Sequence, residues 1–206
     1  MGTKERIIEV AIDFFSEKGF NEVSIREITR AVGIKESSLY NHFASKQQIL
    51  DEILAHLKRQ FDAMTLPEEE AAKLLAVLSP EEFMQISMQN FNMYFGNPKL
   101  LKILRILSIE RFKNSKANEM YNQRLIDEPL RYQAKVFEAM MDRGLMRRMD
   151  PMLLAREFYS PILLIYVRYI ETDRSVNPAA NAALKNLIQE HVVFISEIWQ
   201  VKNKQP

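Results

Sequence analysis

Apolar residues recur at spacings of three and four along nearly the whole chain, and no alternating apolar and polar run is bounded by hairpin turns. That pattern predicts an all-α protein. Helices are expected over 4–18, 25–32, 36–42, 46–64, 68–77, 80–95, 98–114, 117–143, 151–171 and 179–201. The punctuation agrees with the periodicity. Gly19, Gly33, Gly96 and Gly144 each follow a periodic run, where a left-handed C-terminal cap belongs. Ser79-Pro80, Asn97-Pro98, Asp150-Pro151 and Asn177-Pro178 each set a capping side chain before a proline at the first helical position. Pro129 and Pro161 fall inside long runs and are expected to kink or split them. The first three helices are short and the later ones long, which suggests two domains, 1–50 and 51–206.

The most informative stretch is Ser24 to Phe43. Ser24 and Glu27 have the spacing of a capping box, with Val23 and Ile28 as its hydrophobic staple, so a helix begins at Ile25 and must stop at Gly33. After a short turn a second helix carries Leu39 and Phe43 inward, against Ile25, Ile28, Val32 and Ile34. This is a helix-turn-helix layout, whose second helix can enter a major groove. Its outward residues are Lys35, Glu36, Ser37, Ser38, Tyr40, Asn41 and His42, polar groups of lengths suited to base edges and phosphates. Ser45 and Gln48 form another capping box, so the next helix starts at once, with Lys46 in its first turn. A lysine there opposes the helix dipole, and phosphate binding explains it better than helix stability does.

An apolar Phe14-Phe15 pair, then Gly19-Phe20, Ser24-Ile25, Ile28, Ala31-Val32-Gly33-Ile34, Leu39-Tyr40, His42-Phe43, Lys46 and Ile49-Leu50 together resemble the DNA-binding domain of TetR/AcrR-type transcriptional regulators. The resemblance covers roughly the first 55 residues. It implies a three-helix DNA-binding domain followed by a helical domain that binds small molecules and dimerises. On this basis Ser24, Lys35, Glu36, Ser37, Ser38, Tyr40, Asn41, His42 and Lys46 are the candidate DNA contacts. Two positions depart from the family pattern. Thr29 stands where Ala is usual at the helix crossing, and Lys35 stands where Ser or Thr commonly caps the recognition helix.

Charge modifies this picture. Lys and Arg number 28 against 27 Asp and Glu, a formal net charge of +1, so no general pull toward nucleic acid exists and any binding must be local. Residues 1–62 hold nine basic and ten acidic side chains. Glu5, Glu9, Asp13 and Glu17 recur every four residues, and such a stripe is expected to face solvent away from DNA.

The later part has a different chemistry. Nine of eleven methionines lie between residues 84 and 152, among many aromatic residues, as a cavity for an apolar or aromatic ligand would require. Met84, Met88, Phe91, Tyr94, Phe95, Arg105, Phe112, Tyr121, Phe137, Met141 and Tyr166 are the candidate ligand contacts, with Glu110 and Arg111 as further orienting groups. The helix around Pro161 to Val167 is apolar nearly all round and must be covered on both sides. With the last helix it is expected to form a four-helix dimer interface through Ile162, Leu163, Tyr166, Ile188, Val192, Ile195 and Trp199.

Other chemistries find no support. With no Cys there is no disulfide, thiolate metal site or Cys nucleophile, and His42, His56 and His191 lack metal-binding spacing. No G-x-S-x-G, P-loop or dinucleotide fingerprint occurs, so neither an enzyme nor a cofactor is expected. The longest uncharged run of the apolar C-terminal half, 158–167, is half of the roughly 20 residues that a bilayer requires. The sequence therefore points to a cytoplasmic, homodimeric, ligand-responsive regulator, a repressor on a palindromic operator. The competing reading is an apolar-ligand carrier or sensor that signals through protein contacts.

Overall fold

A computed structural model describes residues 1–64, 67–77, 97–168 and 178–199, with residues 79, 82, 86 and 89 between them. The described residues form helices and turns without a β-sheet. The helices are α1 (Thr3–Lys18), α2 (Ile25–Val32), α3 (Glu36–Tyr40), α4 (Lys46–Met64), α5 (Glu68–Val77), α6 (Pro98–Glu110), α7 (Ser115–Asn122), α8 (Glu128–Asp142), α9 (Pro151–Tyr166) and α10 (Pro178–Trp199), with a π-helical turn at Gln123–Asp127. No described helix is long and apolar enough to cross a membrane.

The chain forms two compact units that do not follow sequence order. The first unit comprises Met1–Ala63 and Asn97–Asn122, and the second takes the described residues of 64–96 and 123–206. The reason is that α6 packs on α1, so the first unit reclaims two helices from the later part of the chain.

The first unit is built on local rules. α1 buries Ile7, Ala11, Ile12 and Phe15, a stripe at three- and four-residue spacing. The α2 capping box is made as expected: the Glu27 amide donates to Ser24 Oγ at 3.2 Å and the Ser24 amide to Glu27 Oε2 at 2.8 Å. Val23 and Ile28 are both buried, as a staple requires. α2 ends at Gly33 with φ +78°, a left-handed cap whose amide reaches back to Thr29 and Arg30 carbonyls. α3 is shorter than the expected 36–42 and has no side-chain cap at Lys35, in line with the missing Ser or Thr. Thr29 is buried, and its hydroxyl returns to the Arg26 carbonyl at 3.2 Å, which satisfies it without a partner across the crossing. The box at Ser45 is only half made. The Gln48 amide donates to Ser45 Oγ at 3.1 Å, while the Gln48 side chain accepts from the Ala44 amide instead of that of Ser45.

The expected helix 117–143 is split ahead of Pro129, as a proline there should do. In an α-helix residue 129 would donate to the Leu125 carbonyl, and Pro129 cannot. The Tyr159 hydroxyl from α9 donates to that carbonyl at 2.6 Å. A second tie is made to α9 from α10, where His191 Nε2 lies 2.8 Å from the Phe158 carbonyl, so the ring nitrogen is the donor. Phe137 of α8 meets Phe158 edge-on, with ring centroids 5.7 Å apart, and Phe158 also lies against the His191 ring. These contacts tie α8, α9 and α10 together.

Candidate nucleic-acid interface

Leu39 and Phe43 anchor α3 inward, and the turn geometry leaves the remaining α3 residues outward. Lys35, Glu36, Ser37, Tyr40, Asn41 and His42 are exposed, Tyr40 to 52 %, and Ser38 is half-buried. An exposed tyrosine beside a buried leucine is a side chain held out by the helix, with its hydroxyl reaching furthest from the core. Ser24 is exposed too, but its hydroxyl is already used twice, accepting from the Glu27 amide and donating to Glu27 Oε2 at 2.9 Å. The Ser24 bonds and the Lys18 ammonium, 3.2 Å away, hold the Glu27 carboxyl at a pKa of about 2.

Lys46 has a task that its position in the sequence did not show. Its ammonium donates to the Phe20 carbonyl at 2.8 Å and to the Val23 carbonyl at 2.6 Å, and it lies 4.3 Å from the centre of the Phe20 ring. Two of its three donors are thus spent on the turn between α1 and α2. Beside the phosphate contact expected of it, Lys46 holds that turn to the start of α4. Arg6 does similar work at the other end of α2, donating to the Val32 carbonyl at 2.6 Å, where a helix C-terminus favours a cation.

The acidic stripe of α1 also departs from expectation. Glu9 pairs with Lys99 at 3.5 Å and Asp13 with Lys102 at 2.7 Å, so part of the stripe is turned toward α6 and not wholly to water. Pairs four apart on α1 meet pairs three apart on α6, a one-turn match on both helices. Such exposed pairs contribute little stability, but they neutralise carboxylates that would otherwise repel a polyanion. Arg26 and Arg30 stand exposed on α2. They were not among the sequence candidates, although their placement on the polar side of a well-capped helix was a readable signal.

The ligand and dimer candidates fare differently. Met84, Met88, Phe91, Tyr94 and Phe95 lie outside the described residues. Of the others, Arg105, Phe112 and Tyr121 belong to the first unit and Phe137, Met141 and Tyr166 to the second. Phe112 is 79 % exposed, so it lines no interior space in the described chain. The Arg111 guanidinium lies 4.8 Å from its ring and 4.0 Å from the buried Tyr121 ring, and so is occupied by protein aromatics. Arg105 is half-buried in α6, and Glu110 is buried. Ile162, Tyr166, Ile188, Val192 and Ile195 are buried within this single chain, Leu163 is half-buried, and the Trp199 side chain lies outside the described residues. Among the described residues, the large apolar groups left exposed on these two helices are Leu153 and Leu164 of α9 and Leu187, Val193 and Phe194 of α10. Among the described residues no cluster of three His, Asp or Glu could hold a metal ion.

With this geometry in hand, the comparisons with known proteins are consistent among themselves. Residues 7–53 match the family described as bacterial regulatory proteins, tetR family. The chain is 40 % identical over 53 residues to the HTH-type transcriptional repressor KstR2 of Rhodococcus jostii, covering 26 % of each chain. It is 45 % identical over 49 residues to IcaR of Staphylococcus aureus, the negative transcriptional regulator of the icaADBC biofilm operon, covering 24 % of this chain and 26 % of that one. The matches thus span about a quarter of the length of these curated relatives. Over the whole chain the fold is similar to that of SmeT in its triclosan complex, with a TM-score of 0.68 at 18 % identity, covering 98 % of this chain and 94 % of that one. The helix-turn-helix segment 7–53 thus matches the DNA-binding part of the tetR family, and the described chain has the all-helical fold seen in SmeT.

Proposed function

We propose that the chain is a homodimeric, ligand-responsive repressor that binds a palindromic operator through α3 and is released by a small apolar or aromatic molecule. The observation that carries this reading is the exposed polar row of α3, Lys35 to His42, held out by buried Leu39 and Phe43 behind a fully capped α2. Ser37, Ser38 and Asn41 are placed for base edges, and Tyr40, Lys35 and the α2 arginines Arg26 and Arg30 for phosphates. Ser24 sits at the N-terminus of α2, where free amide groups favour an anion. The unit's near-balanced charge makes each monomer's affinity modest, so two modules on one duplex are required for useful occupancy.

Dimerisation is assigned to α9 and α10, with a revised set of contacts. Leu187 and Phe194 are seven residues apart on α10, and Leu153 and Leu164 eleven apart on α9, so each pair shares one helix face. These groups replace the buried Ile188, Val192 and Ile195 as the candidate partner-facing residues. The ligand is assigned to the methionine-rich later part of the chain, a reading supported by the triclosan complex of the structurally similar SmeT. Gel retardation of genomic fragments across a salt series tests the function. Saturable binding that weakens steeply with salt supports it. Tight uptake of apolar dyes with no retained DNA at low salt would instead favour a carrier or sensor.

A further inference from the structure

The turn between α1 and α2 satisfies its main-chain groups from two other helices. The Gly19 amide completes α1 by donating to the Phe15 carbonyl at 3.0 Å. The next amide, that of Phe20, has no helical acceptor, and it donates to Glu110 Oε1 at 3.0 Å. Glu110 is 3 % exposed and ends α6, ninety residues further along the chain. Burying a carboxyl group is costly unless it is hydrogen-bonded, so a glutamate at this position has to be explained by the amide it accepts. The Phe20 carbonyl and ring are both held by Lys46 from the first turn of α4. The Phe20 ring also meets Phe15 edge-on, 5.4 Å between centroids.

Phe20 is therefore held from both sides, by α6 through its amide and by α4 through its carbonyl and ring. The approach is close. Gly19 has φ +83° and ψ 159°, a conformation open to glycine, and a Cβ there would come 3.4 Å from Ile109 Cγ2 and 3.7 Å from Glu110 Oε1. The C-terminal turn of α6 thus rests directly on this backbone. We propose that Glu110 is a positioning residue for DNA binding: through the Phe20 amide it couples the end of α6 to the turn that Lys46 joins to α4. The inference rests on the DNA-binding reading above for its consequence, though not for the contact itself. A shift of α6 by about 1 Å would stretch the Glu110 hydrogen bond beyond useful length. The recognition unit would then lose one of the two ties that fix its first turn.

The test uses the full chain with Glu110→Leu, which removes the acceptor at similar volume, and Glu110→Gln, which keeps an oxygen acceptor. Amide hydrogen exchange at Phe20 is read by NMR without DNA, with the Ile28 amide as a control for global loosening. Affinity is then read for a duplex selected by the wild-type protein. Glu110→Leu should speed exchange at Phe20 about tenfold or more and leave Ile28 little changed. It should also weaken duplex binding by about tenfold, with Glu110→Gln returning both readings to near wild type. The proposal is overturned if Glu110→Leu leaves Phe20 exchange unchanged, or if Glu110→Gln behaves as Glu110→Leu does. Should the wild-type protein select no duplex, the DNA-binding reading fails, and the exchange measurement alone still decides whether Glu110 holds the turn.

Discussion

Replacing Lys46 by Met keeps most of the side chain's length and removes its charge and donors. Two hydrogen bonds to the Phe20 and Val23 carbonyls are lost, together with the cation over the Phe20 ring. Each charge-assisted bond to a carbonyl contributes about 1.5–3 kcal/mol when well desolvated, and the ring contact about 0.5–1 kcal/mol. Lys46 is only half-buried, so water can replace part of what is lost, and the sum must be discounted. A net cost of about 2 kcal/mol is expected, equivalent to a fall of about 4–8 °C in melting temperature for a chain of this size. The assay is thermal and urea unfolding of both proteins at matched salt and concentration, with no DNA present. A lysine that serves only phosphate would leave this measurement untouched. The reasoning is refuted if Lys46→Met unfolds as the wild type does while its DNA affinity drops and its salt dependence falls by about one phosphate contact per monomer.

Further predictions come from the second unit and from titration. Tyr159→Phe removes the donor that serves the Leu125 carbonyl ahead of Pro129, and should cost about 1–2 kcal/mol in denaturant unfolding, with faster amide exchange concentrated at 123–130. Burial, followed by the charges of Lys99 and Arg59, holds the His56 imidazole below its ordinary pKa of 6.5. The unfolded chain therefore takes up this proton first: the contribution is complete above pH 6.5 and is lost as pH falls below it, a decline that His56→Gln should flatten. Glu27 has a depressed pKa, so its contribution is full above pH 4.5 and is lost as pH falls from there through about 2. The α2 cap should thus outlast the His56 effect in an acid titration followed by exchange at the Glu27 amide. Phe194→Asp sets a charge on the exposed face of α10 and should shift the chain toward monomer in sedimentation, whereas Ile188→Ala should act on folding.

The parts of the fold that were legible in the sequence are those governed by residues a few positions apart. The Ser24–Glu27 box, the Gly33 cap and the proline starts at 98 and 151 depend on one turn of chain, and each is found where the pattern puts it. The Asp150 side chain, for example, accepts from the Met152 and Leu153 amides at 2.8 and 2.9 Å. Pro129 announced a break but not that Tyr159 would repair it, because the partner lies 34 residues away from the carbonyl it serves. The same limit applies to Lys46, Glu110 and the α1 stripe, whose partners belong to helices brought together only by the tertiary fold. Periodicity identified α10 as apolar along one side. It could not say that Ile188, Val192 and Ile195 would be used up inside the chain while Leu187, Val193 and Phe194 stayed outside, because adjacent positions on a broad apolar stripe look alike until a neighbour covers some of them.

The central claim is that α3 reads DNA, and selection of duplexes from a random pool at low salt, with the wild-type chain and Asn41→Ala side by side, tests it most directly. The account predicts enrichment of an inverted repeat whose half-site centres lie about 34–36 Å apart, one turn of the duplex. Asn41→Ala should select the same repeat with the preference at one position of each half-site weakened by about 1–3 kcal/mol. A pool in which no inverted repeat is enriched by the wild-type chain, or an Asn41→Ala preference identical at every position, would contradict it.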